Sequence, residues 1–194
     1  MASTTPSKTF LTFDEYLAYN DETDTRYELV DGELVAMPPE SLENLAIARF
    51  LLVSLMKHLS LKLIAYGTEI EVSGKRSRCR MPDLLVHTEE SLDALTGATR
   101  ATITRDMPPP ALVVEVVSPG IVNRNRDYRH KHTEYAARGI AEYWIVDPEE
   151  RQVTVCVWVD GQYEDRVAKG SDLIHSTIVP LLELTVDQVF SLEQ

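Results

Sequence analysis

The residues from 111 to 117, Ala-Leu-Val-Val-Glu-Val-Val, form an apolar run that lies between Pro110 and Pro119. A Val-rich run of this length predicts a central β-strand that is covered on both faces. A helical pattern follows from about 125 to 138, and a second apolar run spans 142 to 147. Strand, helix and strand in this order predict a parallel pair of strands joined by a right-handed crossover. The run therefore places the chain in the α/β class.

Hairpins and further helices are predicted on either side of this unit. Two turn pairs, Asp31-Gly32 and Asp160-Gly161, each join two strand-like segments and predict β-hairpins. The principal core helix is predicted at 41–66 from apolar residues at helical spacing, namely Leu45, Leu52, Met56, Leu59 and Leu63. Shorter patterns predict helices at 12–20 and 186–190 and strands at 69–72 and 81–87. We expect a mixed α/β fold in which a mixed sheet is flanked by helices.

The composition is that of a globular protein. The chain has 194 residues, of which 44% are hydrophobic and 26% are charged, so we expect one domain spanning residues 1–194. No apolar stretch reaches the roughly 18 residues that a membrane helix needs, and the polar N-terminus lacks the apolar core of a secretory signal. Cys79 and Cys156 are too few and too far apart for a disulfide framework or a zinc motif. We therefore expect two structural thiols in a reducing cytoplasm.

The net charge limits the kinds of partner. With 31 acidic and 19 basic residues, the chain carries −12 at pH 7. Non-specific adhesion to nucleic acid needs an overall or clustered positive field, so the composition argues against it. A protein of this charge that acts on nucleic acid must make its phosphate contacts locally or through a metal ion.

Two acidic residues interrupt apolar strands. Glu115 lies in the central run, and Asp83 lies in the segment Met81-Pro-Asp-Leu-Leu-Val86. A lone carboxylate in such a strand costs several kcal/mol unless it is paired, protonated or bound to a metal. If the two strands are neighbours, the carboxylates converge on a site suited to Mg²⁺ or Mn²⁺. An arginine partner, or a position at a solvent-exposed strand end, would explain the same residues.

Lys131 lies on the helix that is predicted after the central strand. It shares one helix face with Tyr128 and Tyr135, and the aromatic pair marks that face as the inner one. The ammonium group is therefore expected to point toward the sheet, where it would orient water or neutralise a phosphate. A helix salt bridge with Asp127 or Glu134 is the alternative.

The segment from 124 to 132 is the densest basic part of the chain. Arg124, Arg126 and Arg129 in this segment would meet the backbone of DNA near the start of the helix. A solvated basic face explains the same run.

Glu28 is a third acidic candidate. It lies in an alternating strand with apolar neighbours on the opposite face, so we expect it to face water. The sequence contains no Gly-rich phosphate loop, zinc motif or nucleophile elbow, which leaves the acids as the main candidates for catalysis.

An ordered set of motifs gives the chain a family resemblance. The motifs are, in order, Tyr27-Glu-Leu-Val-Asp-Gly-Glu-Leu34, Pro82-Asp83, Val114-Glu-Val-Val-Ser-Pro119, Lys131 and Glu142-Tyr-Trp-Ile-Val-Asp-Pro148. Together they resemble the bacterial restriction endonucleases of the Uma-two type, within the PD-(D/E)XK nuclease superfamily. The resemblance covers roughly residues 12–190.

The resemblance implies a restriction-endonuclease-like fold and Mg²⁺-dependent cleavage of DNA. Asp83 matches the Asp of the Pro-Asp motif and Glu115 the acid of the second motif, and both would bind the metal. That second motif should read Glu-x-Lys, but Val117 stands where the lysine belongs. In related families the next helix supplies the lysine, and Lys131 fits that migrated position. Glu28 matches an early acid that often joins the metal cluster.

Three functions fit the sequence. The first is a Mg²⁺-dependent phosphodiesterase acting on DNA, and cutting both strands would call for a homodimer. The second is a catalytically silent binding or scaffold module, which Val117 and the net charge of −12 favour. The third is a metal-dependent hydrolase of a small phosphate ester, which would tolerate negative charge better than a DNA partner does. Metal binding at Asp83 and Glu115 separates the second function from the other two.

Overall fold

The structure, a computed structural model, describes residues 10–23 and 25–193. The helices are α1 (Phe13–Leu17), α2 (Leu42–Met56), α3 (Glu89–Ala94), α4 (Ile121–Asn125), α5 (His132–Arg138) and α6 (Val186–Ser191). The strands are β1 (Tyr27–Val30), β2 (Glu33–Ala36), β3 (Ile64–Ala65), β4 (Glu69–Val72), β5 (Arg78–Arg80), β6 (Leu84–Val86), β7 (Thr102–Ile103), β8 (Leu112–Val116), β9 (Glu142–Asp147), β10 (Gln152–Val159) and β11 (Gln162–Lys169). A 3₁₀ turn spans Leu61–Leu63 and a π-helical turn spans Arg126–Lys131. The polar N-terminus, on which the expectation about a secretory signal rests, lies outside the described residues.

The strands form two sheets rather than the one that the sequence predicted. The orders are β2-β1-β5-β4-β7 and β11-β10-β9-β8-β6-β3. Both sheets are mixed, because β4 pairs in parallel with β7 and β8 in parallel with β9, whereas the other named pairs are antiparallel. The chain leaves one sheet after β5 and enters the other at β6. Pro82 lies at this change, where it has no N–H to donate to a ladder. The predicted mixed α/β class is confirmed.

The strands β8 and β9 are central, as predicted, and they run parallel to each other. All residues of both strands are buried. One face of their sheet packs against α2 and α6 around Trp144, and the other face packs against α5 through Tyr135 and Tyr143. Burial on both faces explains why these strands are mostly apolar, because they have no solvent-facing side.

The two predicted hairpins are confirmed. The strands β1 and β2 pair across Asp31 and Gly32, whose φ angles are 51° and 83°, and β10 and β11 pair across Asp160 and Gly161, at 49° and 95°. Positive φ at both turn residues matches the twist of the flanking strands, and the sequences Asp-Gly tolerate it.

The principal helix differs from its prediction in length and in orientation. The helix α2 ends at Met56, and the chain then makes the 3₁₀ turn and β3 instead of continuing to residue 66. Leu45 and Met56, predicted to face inward, are exposed, and the buried face carries Ile47, Leu51 and neighbouring residues. The sequence of α2 is apolar on nearly every side, so the spacing alone does not select one face.

The helical segment after β8 runs from Ile121 to Arg138 and starts earlier than predicted. It consists of α4, the π-helical turn and α5, and it ends at Gly139 with φ 76°. This left-handed residue closes the helix as the sequence implies. Within the described part of the chain, we find no helix with the length and apolar content needed to cross a membrane.

Candidate functional site

Asp83 lies just before β6, and Glu115 lies on β8, the neighbouring strand of the second sheet. The strands β6 and β8 are antiparallel, with Leu84 opposite Val114, so one further step of the register brings Asp83 beside Glu115. The backbone N–H of Val116 donates a hydrogen bond of 2.7 Å to Asp83 Oδ2. Both acids line one small cavity, together with Glu28, Glu40, Arg126, Lys131 and residues of the β2–α2 connection.

Glu115 is an almost fully buried carboxyl group with two polar partners. Its side chain accepts a 2.7 Å hydrogen bond from the Tyr135 hydroxyl at Oε1 and lies 2.8 Å from Lys131 Nζ at Oε2. Burial raises the pKa of Glu115 to about 8. The charge of Lys131 lowers this pKa, and the negative charges of Asp83 and Asp127 raise it further. Burial also raises the pKa of Asp83 to about 6. Burial thus favours the protonated forms of both groups, and a bound cation would displace these protons.

Lys131 reaches this cavity from the end of the π-helical turn. Its Nζ lies 2.8 Å from Glu115, 3.3 Å from Asp127 and 4.0 Å from Glu28, and the side chain is only 4% exposed. Burial alone would lower the pKa of Lys131, but the three carboxylates outweigh it and raise the pKa. The side chain points toward the sheet, as its helix face predicted. It also pairs with Asp127, whereas Glu134 has other partners.

Glu28 does not face water, contrary to the prediction from strand alternation. The residue is 5% exposed, and its Oε2 accepts a 2.8 Å hydrogen bond from Arg80 Nη1. Its Oε1 accepts a 3.3 Å hydrogen bond from the Met81 backbone N–H. Burial would raise the pKa of Glu28, but Lys131 and Arg80 together lower it. Both faces of β1 are covered, one by the cluster around Tyr16 and the other by this ion network.

A buried arginine network supports the site, and the sequence analysis missed it. Arg80 Nε lies 2.7 Å from Glu134 Oε2, and Arg78 contacts the same carboxylate and Asp31. The network joins β5 of the first sheet to α5, which lies over the second sheet. The signal in the sequence is the alternation Arg-Cys-Arg at 78–80, which puts two cations on one face of a strand.

The basic residues before Lys131 have different surroundings. Arg124 contacts the buried Asp147, and Arg126 Nε lies 3.2 Å from Asp127 Oδ1 while the side chain lines the cavity. Arg129 is exposed and lines a separate depression. The three arginines therefore do not present one continuous face.

Two further polar residues border the site. Glu40, just before α2, lines the cavity and accepts a 3.3 Å hydrogen bond from Asn44 Nδ2. Asp127 is 1% exposed, and its Oδ2 has no hydrogen-bond partner among the described residues. Neither carboxylate lies in an apolar strand, so no pattern in the sequence marks Glu40 or Asp127 as a candidate.

Comparisons with known proteins identify a family and a related fold. The family model described as "Putative restriction endonuclease" (Uma2) matches residues 13–187. Among solved structures, the chain is similar to a crystal structure described as a putative nuclease belonging to DUF820 from Anabaena variabilis. The two share 18% sequence identity with a TM-score of 0.69, over 93% of this chain and 98% of that chain. At this identity the likeness shows a shared fold.

Curated proteins give no significant match to the chain. The family model, however, covers nearly all of the sequence, including the strands and the helix that carry Asp83, Glu115 and Lys131. The resemblance seen in the motifs is therefore confirmed. The chain belongs to the Uma2 family of putative restriction endonucleases.

Proposed function

We propose that this nuclease-family protein is a Mg²⁺- or Mn²⁺-dependent endonuclease of the PD-(D/E)XK type that hydrolyses phosphodiester bonds in DNA. The observation that carries the proposal is the 2.8 Å contact between Lys131 Nζ and Glu115 in the cavity that Asp83 also lines. Two acids and one cation thus line the same cavity.

Val117, which replaces the motif lysine, is the main argument against activity. The surroundings of Val117 weaken that argument. The side chain is 4% exposed and packs in the apolar cluster with Tyr135. Position 117 lies on the same face of β8 as Glu115. Lys131 from the helix supplies the ammonium group there instead, which supports a migrated lysine over a lost one.

The donor atoms of the cavity suit a hard divalent cation. Asp83 and Glu115 offer carboxylate oxygens, which Mg²⁺ and Mn²⁺ prefer. Burial raises the pKa values of both groups, and a bound cation would favour their ionised forms. A bound Mg²⁺ would supply positive charge for the phosphate and lower the pKa of a coordinated water.

The remaining roles follow from the contacts of each side chain. Lys131 stays protonated because its pKa is raised, so it acts as a cation that orients water or holds a phosphate oxygen rather than as a base. Tyr135 fixes the rotamer of Glu115 through its hydroxyl. Glu28 assists at the metal mainly through Lys131, because Arg80 and the Met81 N–H already hold its oxygens.

DNA binding is the part of the proposal that the net charge of −12 opposes. The positive contacts proposed are local, from Arg124, Arg126 and Arg129, and Arg126 is the one that lines the cavity. We further propose that the chain acts as a single domain of residues 1–194, as a homodimer when both strands are cut. Its free, buried cysteines suit a reducing cytoplasm.

A catalytically silent binding module is the second candidate. The observation that favours it is the ion network itself, in which Lys131 already has three carboxylate partners and Glu28 is paired with Arg80. Such a module would retain the fold without needing a metal at Asp83.

Plasmid cleavage in Mg²⁺ tests the proposal. Asp83→Ala and Glu115→Ala should each abolish nicking while circular dichroism shows a folded protein, and Asp93→Ala, an exposed acid on α3, serves as the matched control. Nicking at the wild-type rate by both site variants would remove the assignment. Absence of Mg²⁺ binding by wild type in titration calorimetry would favour the silent module. Turnover of a small phosphodiester but not of plasmid would favour a small-ester hydrolase.

A further inference from the structure

A second group of metal-binding side chains lies outside the cavity. His132 on α5, Cys156 on β10 and Asp165 on β11 each bring one donor atom within 4.8 Å of the other two. His132 Nε2 lies 2.9 Å from Asp165 Oδ1 and 3.2 Å from Oδ2. The Cys156 thiol also donates a hydrogen bond to Asp165.

The fold, not the sequence spacing, assembles this group. Cys156 and Asp165 are direct partners across the β10–β11 hairpin, so their side chains share one face. The helix α5 packs over that face, and the ring of His132 meets Tyr163 edge-on at 5.2 Å between centroids. The sequence analysis expected Cys156 to be a structural thiol because no ligand stands close to it in the chain.

We propose that His132, Cys156 and Asp165 form a binding site for a zinc-class transition metal ion. The donors are one imidazole nitrogen, one sulfur and one carboxylate oxygen, a mixture that suits Zn²⁺ and is unsuited to Mg²⁺. Three protein ligands leave a fourth position for water, which is the arrangement of an open zinc site.

The partial exposure of two of the three residues leaves a path by which a metal ion can enter. Cys156 is buried, whereas the side chains of His132 and Asp165 are 23% and 45% exposed, so the group opens to solvent through Asp165. Coordination replaces the hydrogen bonds among the three side chains. The thiol proton passes to solvent when the Cys156 sulfur binds the ion, as a thiolate ligand requires.

This site is chemically separate from the acid cavity, although it lies on the same helix. His132 directly follows Lys131, but it faces the β10–β11 hairpin while Lys131 faces β8. A bound ion would fasten the start of α5 to the sheet edge. The inference does not rest on the proposed nuclease activity.

Titration with Co²⁺ tests the site in the full chain, because Co²⁺ bound to a thiolate gives a sulfur-to-metal charge-transfer absorption that oxygen ligands cannot produce. We expect this absorption to saturate at one equivalent, to disappear when Zn²⁺ is added, and to be absent in Cys156→Ser. Cys79→Ser, which removes the other buried thiol, is the matched control and should keep it.

Two milder variants keep the test decisive if Cys156→Ser fails to fold. His132→Gln and Asp165→Asn alter partly exposed ligands, and each should weaken Co²⁺ binding by at least about tenfold, since even outer-shell changes weaken metal sites by about 10–100-fold. Asp83→Asn, which alters the acid cavity, should leave the charge-transfer absorption unchanged. No charge-transfer absorption in wild type, its persistence in Cys156→Ser, or unaltered affinity in both milder variants would overturn the proposal.

Discussion

Replacing Asp83 with asparagine should stabilise the metal-free protein at neutral pH. Burial raises the pKa of Asp83 from 3.8 to about 6, despite the opposing effects of Lys131 and the Val116 N–H. When folding raises the pKa of a carboxyl group, the folded protein is more stable with that group protonated than with it ionised. Ionised Asp83 therefore destabilises the folded state, as expected of a group retained for binding rather than for stability.

The pKa values set the size of the effect and the pH range in which it develops. Well below the ordinary pKa of 3.8 the carboxyl group is protonated in both folded and unfolded chains, and the destabilisation is absent. It grows as the pH rises, to about 1 kcal/mol near pH 4.5 and about 3 kcal/mol near pH 8. Asparagine removes the charge and still offers an oxygen to the Val116 N–H, which lies 2.7 Å from Asp83 Oδ2. Asp83→Asn should be more stable than wild type by these amounts.

Urea unfolding with a chelator at about pH 4.5 and about pH 8, followed by circular dichroism, measures both differences. Asp93→Asn, which changes an exposed acid, should stay within about 0.5 kcal/mol of wild type. Mg²⁺ at about 100 times its dissociation constant should stabilise wild type by about 2.7 kcal/mol and the Asp83→Asn variant hardly at all. A variant no more stable than wild type near pH 8, or a gain independent of pH, would refute the reasoning.

The remaining predictions concern the ion network and the backbone. Lys131→Met should lower plasmid turnover by about 10²–10³-fold with little change in Mg²⁺ affinity by calorimetry; unchanged turnover would leave Lys131 as a structural ion pair. Arg80→Met removes the cation that two buried carboxylates share, Glu28 and Glu134, and should lower the free energy of unfolding in urea by about 3–5 kcal/mol; a loss under about 1 kcal/mol would contradict this. Gly139→Ala should cost about 1–2 kcal/mol because φ is positive. Gly32→Ala should cost more, since its new Cβ would also lie 3.0 Å from Phe10 Cβ; equal losses in thermal unfolding would exclude the contact effect.

The pairing of Glu115 with Lys131 was predictable because two independent patterns point to it. An acid inside an apolar run must find a partner, and the aromatic residues at i−3 and i+4 from Lys131 mark the buried side of its helix. Both patterns are local, and a single β-α-β unit brings them together. This part of the site needed no knowledge of distant segments.

The orientation of α2 and the surroundings of Glu28 depend on long-range packing. The helix α2 has apolar residues on several sides, and the sheet selects which of them are buried. Strand alternation predicts a solvent face for Glu28 only if β1 has one. Arg80, distant in sequence, covers that face instead. The periodicity of one segment does not predict which charged residues of another segment will contact it. The cluster of His132, Cys156 and Asp165 could not be predicted for the same reason.

The π-helical turn at Arg126–Lys131 sets the rotational phase between the two ends of its helix. Upstream, Arg124 contacts Asp147; downstream, the Tyr135 hydroxyl donates a hydrogen bond to Glu115. Deleting one residue here would restore an ordinary α-helix and rotate one end by about 100° relative to the other. The two anchors could then no longer be satisfied at once. The fold should therefore tolerate a change in the length of this turn far less well than a substitution at an exposed position of the turn such as Arg129.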